Sequence, residues 1–198
     1  SFADRYILSG TIRADGSSKF NPDGRWGIFP SAAFTWRIKG ENFLKDNNSV
    51  SDLKLRLSYG ETGNKDGITN YGYIPVYYYS TNEAQYQIGD QFYHVYSPIA
   101  YDKTLRWEST ATTNICLDYW FWGGSIYGAI EAYHKKTKDL LATTEISVGT
   151  NYSNQLLTNV GNMENRGIEG SINIQAVKSE NFNWDLGFNM TVNESKVT

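Results

Sequence analysis

The stretch "DLKLRLSYG", residues 52–60, alternates without exception, with Leu53, Leu55, Leu57 and Tyr59 on one side and Lys54, Arg56 and Ser58 on the other. A period of two belongs to an extended ribbon with one oily and one wet face, because successive side chains leave a strand on opposite sides. Six further segments repeat it. Tyr6, Leu8, Gly10, Ile12 and Ala14 oppose Ser9, Thr11 and Arg13; Ile28, Pro30, Ala32, Phe34, Trp36 and Ile38 oppose Thr35, Arg37 and Lys39. Ile115, Leu117, Tyr119 and Phe121 oppose Asn114, Cys116 and Asp118; less cleanly, Ile126, Gly128, Ile130 and Ala132 oppose Tyr127, Glu131 and Tyr133. Ile168, Gly170, Ile172, Ile174 and Ala176 face away from Glu169, Ser171, Asn173 and Gln175. Phe182, Trp184, Leu186, Phe188, Met190 and Val192 face away from Asn183, Asp185, Asn189, Thr191 and Asn193. No helical-period stretch competes, although "GENFLKDN" can make one short turn.

The connections alternate as well. Long excursions at about 15–25, 61–107 and 137–160 interleave with the shorter links "WGGS", "KSEN" and residues 40–51. In an up-and-down meander every second connection lies at the same end. One end therefore carries long loops and the other mostly tight turns, the asymmetry of outer-membrane barrels. Ten residues at ~45° tilt rise about 24 Å, close to the ~25 Å apolar band of such a barrel. With the tight turns at the periplasmic level, Tyr6, Trp36, Trp120, Trp122, Phe182 and Trp184 fall near one height, as an interfacial aromatic girdle requires. The polar faces carry Arg13, Arg37, Lys54, Arg56, Glu131, Glu169 and Asp185, which suit water in a lumen or outside a soluble β-sandwich, so the period alone leaves both architectures open.

Composition narrows the chemistry. Fifteen Tyr, six Trp and eighteen Gly against four Pro favour strands and tight turns. A net charge of −3 with interspersed signs gives no footprint for nucleic acid. Cys116 stands alone, so neither a disulfide framework nor a thiolate zinc cluster is built within the chain. Asp15, Asn21, Asp23 and Gly24 miss the spacing of a calcium loop, and "GETGNKDG" lacks the Gly-Lys-Ser/Thr ending of a phosphate cradle. His94 and His134 have no second metal ligand at useful spacing, and no paired carboxylates or nucleophile elbow emerge, so neither catalytic residues, nor a metal site, nor a cofactor is assigned.

Five phrases carry more specific information: "TIRADGSSKFNPDGRWGIFPSAAFTWRI", "LKLRLSYGETGN", "LRWESTATTNICLDYWF", "YHKKTKDLL" and "NVGNMENRGIEGSINIQ". In this order and spacing the chain resembles the C-terminal half of the barrel of SusC/RagA-like TonB-dependent transporters, outer-membrane proteins of Bacteroidetes. The resemblance implies an all-β, antiparallel meander forming part of a transmembrane barrel of about 22 strands with a plugged lumen. Residues 1–198 then read as a partial barrel domain of about seven strands, with the plug domain and the TonB-contacting segment outside this stretch. It implies TonB-driven import of a bulky nutrient, a glycan oligosaccharide or a peptide, with a SusD-like surface lipoprotein over the extracellular mouth and outer-membrane lipid around the wall. A soluble β-sandwich carbohydrate-binding or adhesin module and a passive porin are the competing readings.

Two groups of residues are candidates for contact with ligand or partner. The loop between the third and fourth strands concentrates Tyr71, Tyr73, Tyr77, Tyr78, Tyr79, Tyr86, Tyr93 and Tyr96, flat rings with hydrogen-bonding tips that suit sugar faces or a partner protein. Packing of the loop onto its own neighbours explains the same rings equally well. Arg13, Lys54, Arg56, Glu169 and Asp185 are candidates for the lumen wall. Pro30, which cannot donate to a ladder, is expected near the rim, at a bulge or strand start.

Overall fold

A computed structural model describes residues 1–81, 83–147 and 149–198. Among the described residues thirteen strands, numbered along the chain, divide into a wall and a set of loop ribbons. The wall is one antiparallel sheet of seven long strands: β1 (Tyr6–Gly16), β2 (Trp26–Arg37), β3 (Val50–Asn64), β8 (Glu108–Phe121), β9 (Ile126–Lys138), β12 (Asn162–Lys178) and β13 (Asn183–Val197). They pair in that order, so β1 and β13 are its two edges and the sheet is open. The ribbons are β4 (Tyr77–Tyr79) with β7 (Tyr96–Pro98), β5 (Gln85–Ile88) with β6 (Gln91–His94), and β10 (Leu141–Glu145) with β11 (Gln155–Asn159). Among the described residues no helix is long and apolar enough to cross a membrane, which leaves crossing by strands unaffected. At the tight-turn end, the backbone amides of Leu44 and Lys45 both donate to the Glu41 carbonyl, the single helical turn the sequence allows.

The register places each apolar set on a common face. Leu8 opposes Phe34, Phe34 opposes Leu57, Leu57 opposes Ile115, Ile115 opposes Ala132, Ala132 opposes Ile168, and Ile168 opposes Val192. Among the described residues no second sheet covers this face: Leu8 is 76% and Ile12 77% exposed. A β-sandwich would bury these side chains against a partner sheet. The sandwich reading therefore fails, and the greasy face is built for acyl chains.

The apolar band also slides along the sheet. The register line that starts at Tyr6 and Trp36, the lower aromatic edge on β1 and β2, arrives on β13 at Met190. The aromatic edge on that side is Trp184 and Phe182, six and eight residues further down. That drift is about 20–26 Å along the strands against roughly 29 Å across six strand spacings, an inclination of about 35–42°. Membrane barrels tilt their strands by ~35–45°. The tilt is thus written in where the oily residues start and stop.

Two local expectations change. Trp120 belongs to the opposite face from the girdle, because its partners are Asp52 and Tyr127, and the Lys54 ammonium lies 4.8 Å from its ring centre. Pro30 lies inside β2, opposite Ile12, with no bulge in the β1–β2 register. The Arg37 amide donates to the Arg5 carbonyl on the β1 side, so alternation turns the donorless nitrogen of Pro30 toward β3. The β2–β3 ladder ends one residue earlier, at Ser31 opposite Gly60, and no bond is lost.

The interfacial edge is clasped. Glu41, in the turn after β2, accepts hydrogen bonds from the Tyr6 hydroxyl (2.5 Å), the Trp36 indole (3.0 Å) and Arg5 (2.9 Å). These donors, the Tyr6 hydroxyl foremost, hold the Glu41 carboxyl below the usual range. Both aromatic rings thereby keep their polar tips tied to the turn, the posture expected at a membrane–water boundary.

Candidate functional site

The inner, polar face is ordered in rows. Thr35, Arg56, Cys116, Glu131, Glu169 and Thr191 share one register line; Arg37, Lys54, Asp118, Ala129, Ser171 and Asn189 share the next. Arg56 makes a two-point contact with Asp118 at 2.6 and 2.9 Å and also donates to the Cys116 sulfur at 3.0 Å. Lys54 pairs with Asp52 at 2.9 Å. On the other side of the row Glu131 and Glu169 are directly opposed. Like charges so placed repel, and Asn114 relieves one by donating to Glu131. The basic residues thus gather on β1–β3 and the acidic pair on β9 and β12.

Of the five wall candidates, Lys54 and Arg56 are neighbours, and Glu169 shares the row of Arg56 three strands away. Arg13 stands higher, paired with Asp15 at 2.8 Å and with its guanidinium 5.7 Å from the Phe29 ring centre. Asp185 lies opposite Gln175 at the far end. All five share the inner face but form no single cluster. The carboxylates that complete the network, Asp52 and Asp118, were visible only as members of the alternation; which basic group each serves depends on register.

Above the wall the three long loops join in a cap. Phe20 from the β1–β2 loop and Ile68 and Leu105 from the two ends of the β3–β8 excursion form a buried cluster, with Trp107, Leu141 and Leu157 against it. Phe20 and Phe29 both contact the Trp107 ring, at 4.9 and 5.7 Å between centres. Phe29 is an inner-face residue of β2 and has room only because Gly63 lacks a side chain: a Cβ there would come within 2.0 Å of the ring. Polar ties reinforce the joint. The Trp107 indole donates to the Arg25 carbonyl, Asn159 donates to the Arg106 and Asp139 carbonyls, and Arg106 pairs with Asp139 at 2.8 Å.

The tyrosine-rich loop projects from this cap. Its two ribbons pair Tyr79 with Tyr96 and Tyr86 with Tyr93. Tyr79 stacks on His94 at 4.3 Å and meets Tyr96 edge-on, while Tyr77 approaches Tyr152. Tyr71, Tyr77, Tyr78, Tyr79, Tyr86, Tyr93 and Tyr96 are exposed and Tyr73 is half-buried. Most of these rings are therefore not consumed by packing within the chain.

A tilted, two-faced, antiparallel wall with tight turns at one end and a packed loop cap at the other is a piece of an outer-membrane barrel. The family pattern described as "TonB dependent receptor-like, beta-barrel" matches residues 1–197, and the chain belongs to that family. It is 46% identical over 198 residues to the TonB-dependent receptor SusC of Bacteroides thetaiotaomicron, covering all of this chain and 20% of the relative. A TonB-dependent receptor of Formosa agariphila is 34% identical, with 99% of this chain and 19% of the relative covered. Among solved structures, that of the RagAB peptide transporter superimposes with a TM-score of 0.86 at 24% identity, over 100% of this chain and 21% of the other. The chain thus spans about a fifth of the relatives it matches. TonB-dependent receptors of the SusC/RagA type are outer-membrane proteins of Bacteroidetes, and the long-loop end of this wall is the extracellular end.

Proposed function

We propose that this chain is the wall and part of the extracellular mouth of an active transporter that imports a bulky nutrient, a glycan fragment or a peptide, with energy relayed by TonB. The observation that carries the reading is an open, charged inner face leading to a tyrosine-rich cap, in a chain that belongs to the TonB-dependent receptors. The exposed tyrosines seat either the nutrient or a SusD-like lipoprotein that closes the mouth. Arg13, Lys54, Arg56, Glu169 and Asp185 border the solvated space between wall and plug. The plug and the TonB-contacting segment belong to the remainder of the polypeptide. The reading is one of binding and passage, in keeping with the transport receptors to which the chain is similar, and proposes no covalent step.

The test is uptake by the full-length receptor in cells, with labelled oligosaccharides and labelled peptides supplied separately. One class should accumulate, and loss of TonB should abolish accumulation. Y77A/Y79A/Y96A should lower uptake or release the lipoprotein without reducing barrel abundance. Uptake that persists without TonB would overturn the energised reading in favour of a passive pore.

A further inference from the structure

Two tyrosines outside the paired ribbons complete a second aromatic surface in the cap. Tyr101 lies between β7 and β8, and Tyr152 lies in the connection from β10 to β11. Their rings are nearly parallel, 22° apart, with centres separated by 6.1 Å, and Tyr77 of β4 extends the series at 6.4 Å from Tyr152. The Lys103 ammonium stands 5.8 Å from the Tyr101 ring centre. Tyr77 and Tyr152 are exposed and Tyr101 is half-buried. Beside them opens a cavity of about 690 Å³, walled in part by Tyr101, Asp102, Lys103, Thr104, Asn151 and Tyr152. That volume is in the range of sites for small ligands.

The two loops are ordered against each other before any ligand arrives. The Asn151 side-chain amide donates to the Tyr101 carbonyl at 3.0 Å, and its oxygen accepts from the Tyr152 backbone amide at 2.8 Å. The Asp102 carboxylate accepts from the Thr104 amide and hydroxyl at 2.7 and 2.6 Å and from the Thr158 hydroxyl, a second tie across the same seam. Such preorganisation lowers the entropy cost of binding. Asn151 and Asp102 are thereby engaged within the cap, and the surface turned to a ligand consists of ring faces, phenol tips and Lys103. Peptides are held through their main chain at a strand edge or through side-chain pockets. The six residues named lie outside the strands and supply no ladder edge. Lys103 is adjacent to the Asp102 carboxylate, so no net charge selects an ion. Ring faces in succession instead match a molecule with flat C–H faces and hydroxyl edges, and the 6.1 and 6.4 Å steps allot roughly one pyranose to each ring.

We propose that Tyr77, Tyr152 and Tyr101 form a stacking rail for consecutive rings of a neutral oligosaccharide, with Lys103 reaching its hydroxyls. The rail rests on the transport reading and narrows it: of glycan and peptide, it selects the glycan, and it brings in Tyr101 and Tyr152 from outside the tyrosine-rich ribbons.

The experiment titrates the purified full-length receptor in detergent with neutral oligosaccharides of two, four and six units, drawn from α- and β-linked glucans, mannans and xylans, and separately with tetra- and hexapeptides. Isothermal calorimetry is the readout. At least one oligosaccharide series should bind, with affinity rising with length as more rings are engaged. Y101A/Y152A should weaken that binding roughly tenfold, the loss expected from two aromatic contacts. Y101F/Y152F keeps the ring faces and should retain most of it, while Y86A/Y93A, in the distal ribbon, should leave it unchanged. Amide exchange of residues 149–159 should be the same in Y101F/Y152F as in wild type, which separates a lost contact from a lost fold. Absence of binding by every oligosaccharide, affinity that does not rise with length, equal losses in Y86A/Y93A and Y101A/Y152A, or peptide binding abolished by Y101A/Y152A would each overturn the rail. TonB-dependent uptake that persists alongside any of these results leaves the transport reading standing, so the two fail separately.

Discussion

The cap and the wall use the same apolar residue types under opposite rules. In the cap, Phe20 is wholly buried and Ile68 is 2% exposed, packed with Leu105 and Trp107 as in any water-soluble core. In the wall, Ile130, Ile168, Phe188 and Val192 have no such cover, since their solvent is the bilayer. The cap is therefore held by burial against itself, and the wall by its ladder of backbone bonds and by lipid on one side. Phe29 and Trp107 are where the two regimes meet.

Removing an anchor from each region should break different things. Phe20→Ala should cost the cap about 3–5 kcal/mol, the range for emptying an aromatic from a packed core. Amide exchange and protease cutting in residues 17–25 and 65–107 should accelerate, while the full-length barrel keeps its heat-modifiable mobility. Simultaneous loss of the barrel would mean that cap and wall are one cooperative unit.

A paired substitution tests the two faces of the wall. Ile130→Arg places a charge in the lipid band and should cost about 2–4 kcal/mol of barrel stability. Ala129→Arg, one residue away on the inner face between Asp118 and Ser171, should cost under about 1 kcal/mol. Urea unfolding of the full-length barrel in bilayers measures both. Equal costs would mean that the faces are misassigned.

The joint between the regions is sharpened at Gly63. Gly63→Val drives a side chain into the Phe29 ring and should destabilise the joint by about 1–3 kcal/mol. Combined with Phe29→Ala, most of that penalty should vanish, because the clash partner is gone. Additive penalties would place the strain elsewhere.

What was legible in the sequence follows this division. Seven strands, their faces and the loop asymmetry could be read because a period of two and turn chemistry are local signals. Pro30 and Trp120 depart from the local pattern because their roles are set by where a neighbouring ladder ends and by which face a strand presents at its last turn. The link through Phe29 was invisible for the same reason: its partners Trp107 and Gly63 lie far along the chain, and only the fold brings them together. The tyrosine loop announced itself by composition, yet its division into two ribbons with outward rings depends on pairing that composition does not encode.

The smallest expected effect lies within the cap. Partial burial pushes the Asp102 carboxyl up, but hydrogen bonds from the Thr104 and Thr158 hydroxyls and the Thr104 amide, with Arg106 nearby, outweigh it and leave the group below the ordinary range. A carboxyl held low in the docked loop adds stability that is present above its undocked pKa of about 4 and is lost as pH falls through the lowered value. The bond from Thr158 joins the tyrosine-loop excursion to the β10–β11 ribbon, so acidification should loosen that seam while the wall is unchanged. Asp102→Asn should weaken the seam by about 1 kcal/mol at neutral pH and flatten its response below pH ~4. Amide exchange of residues 100–106 and 155–159 at neutral and acid pH measures this, and a wild-type seam as acid-sensitive as that of Asp102→Asn would assign the tie to the apolar cluster alone.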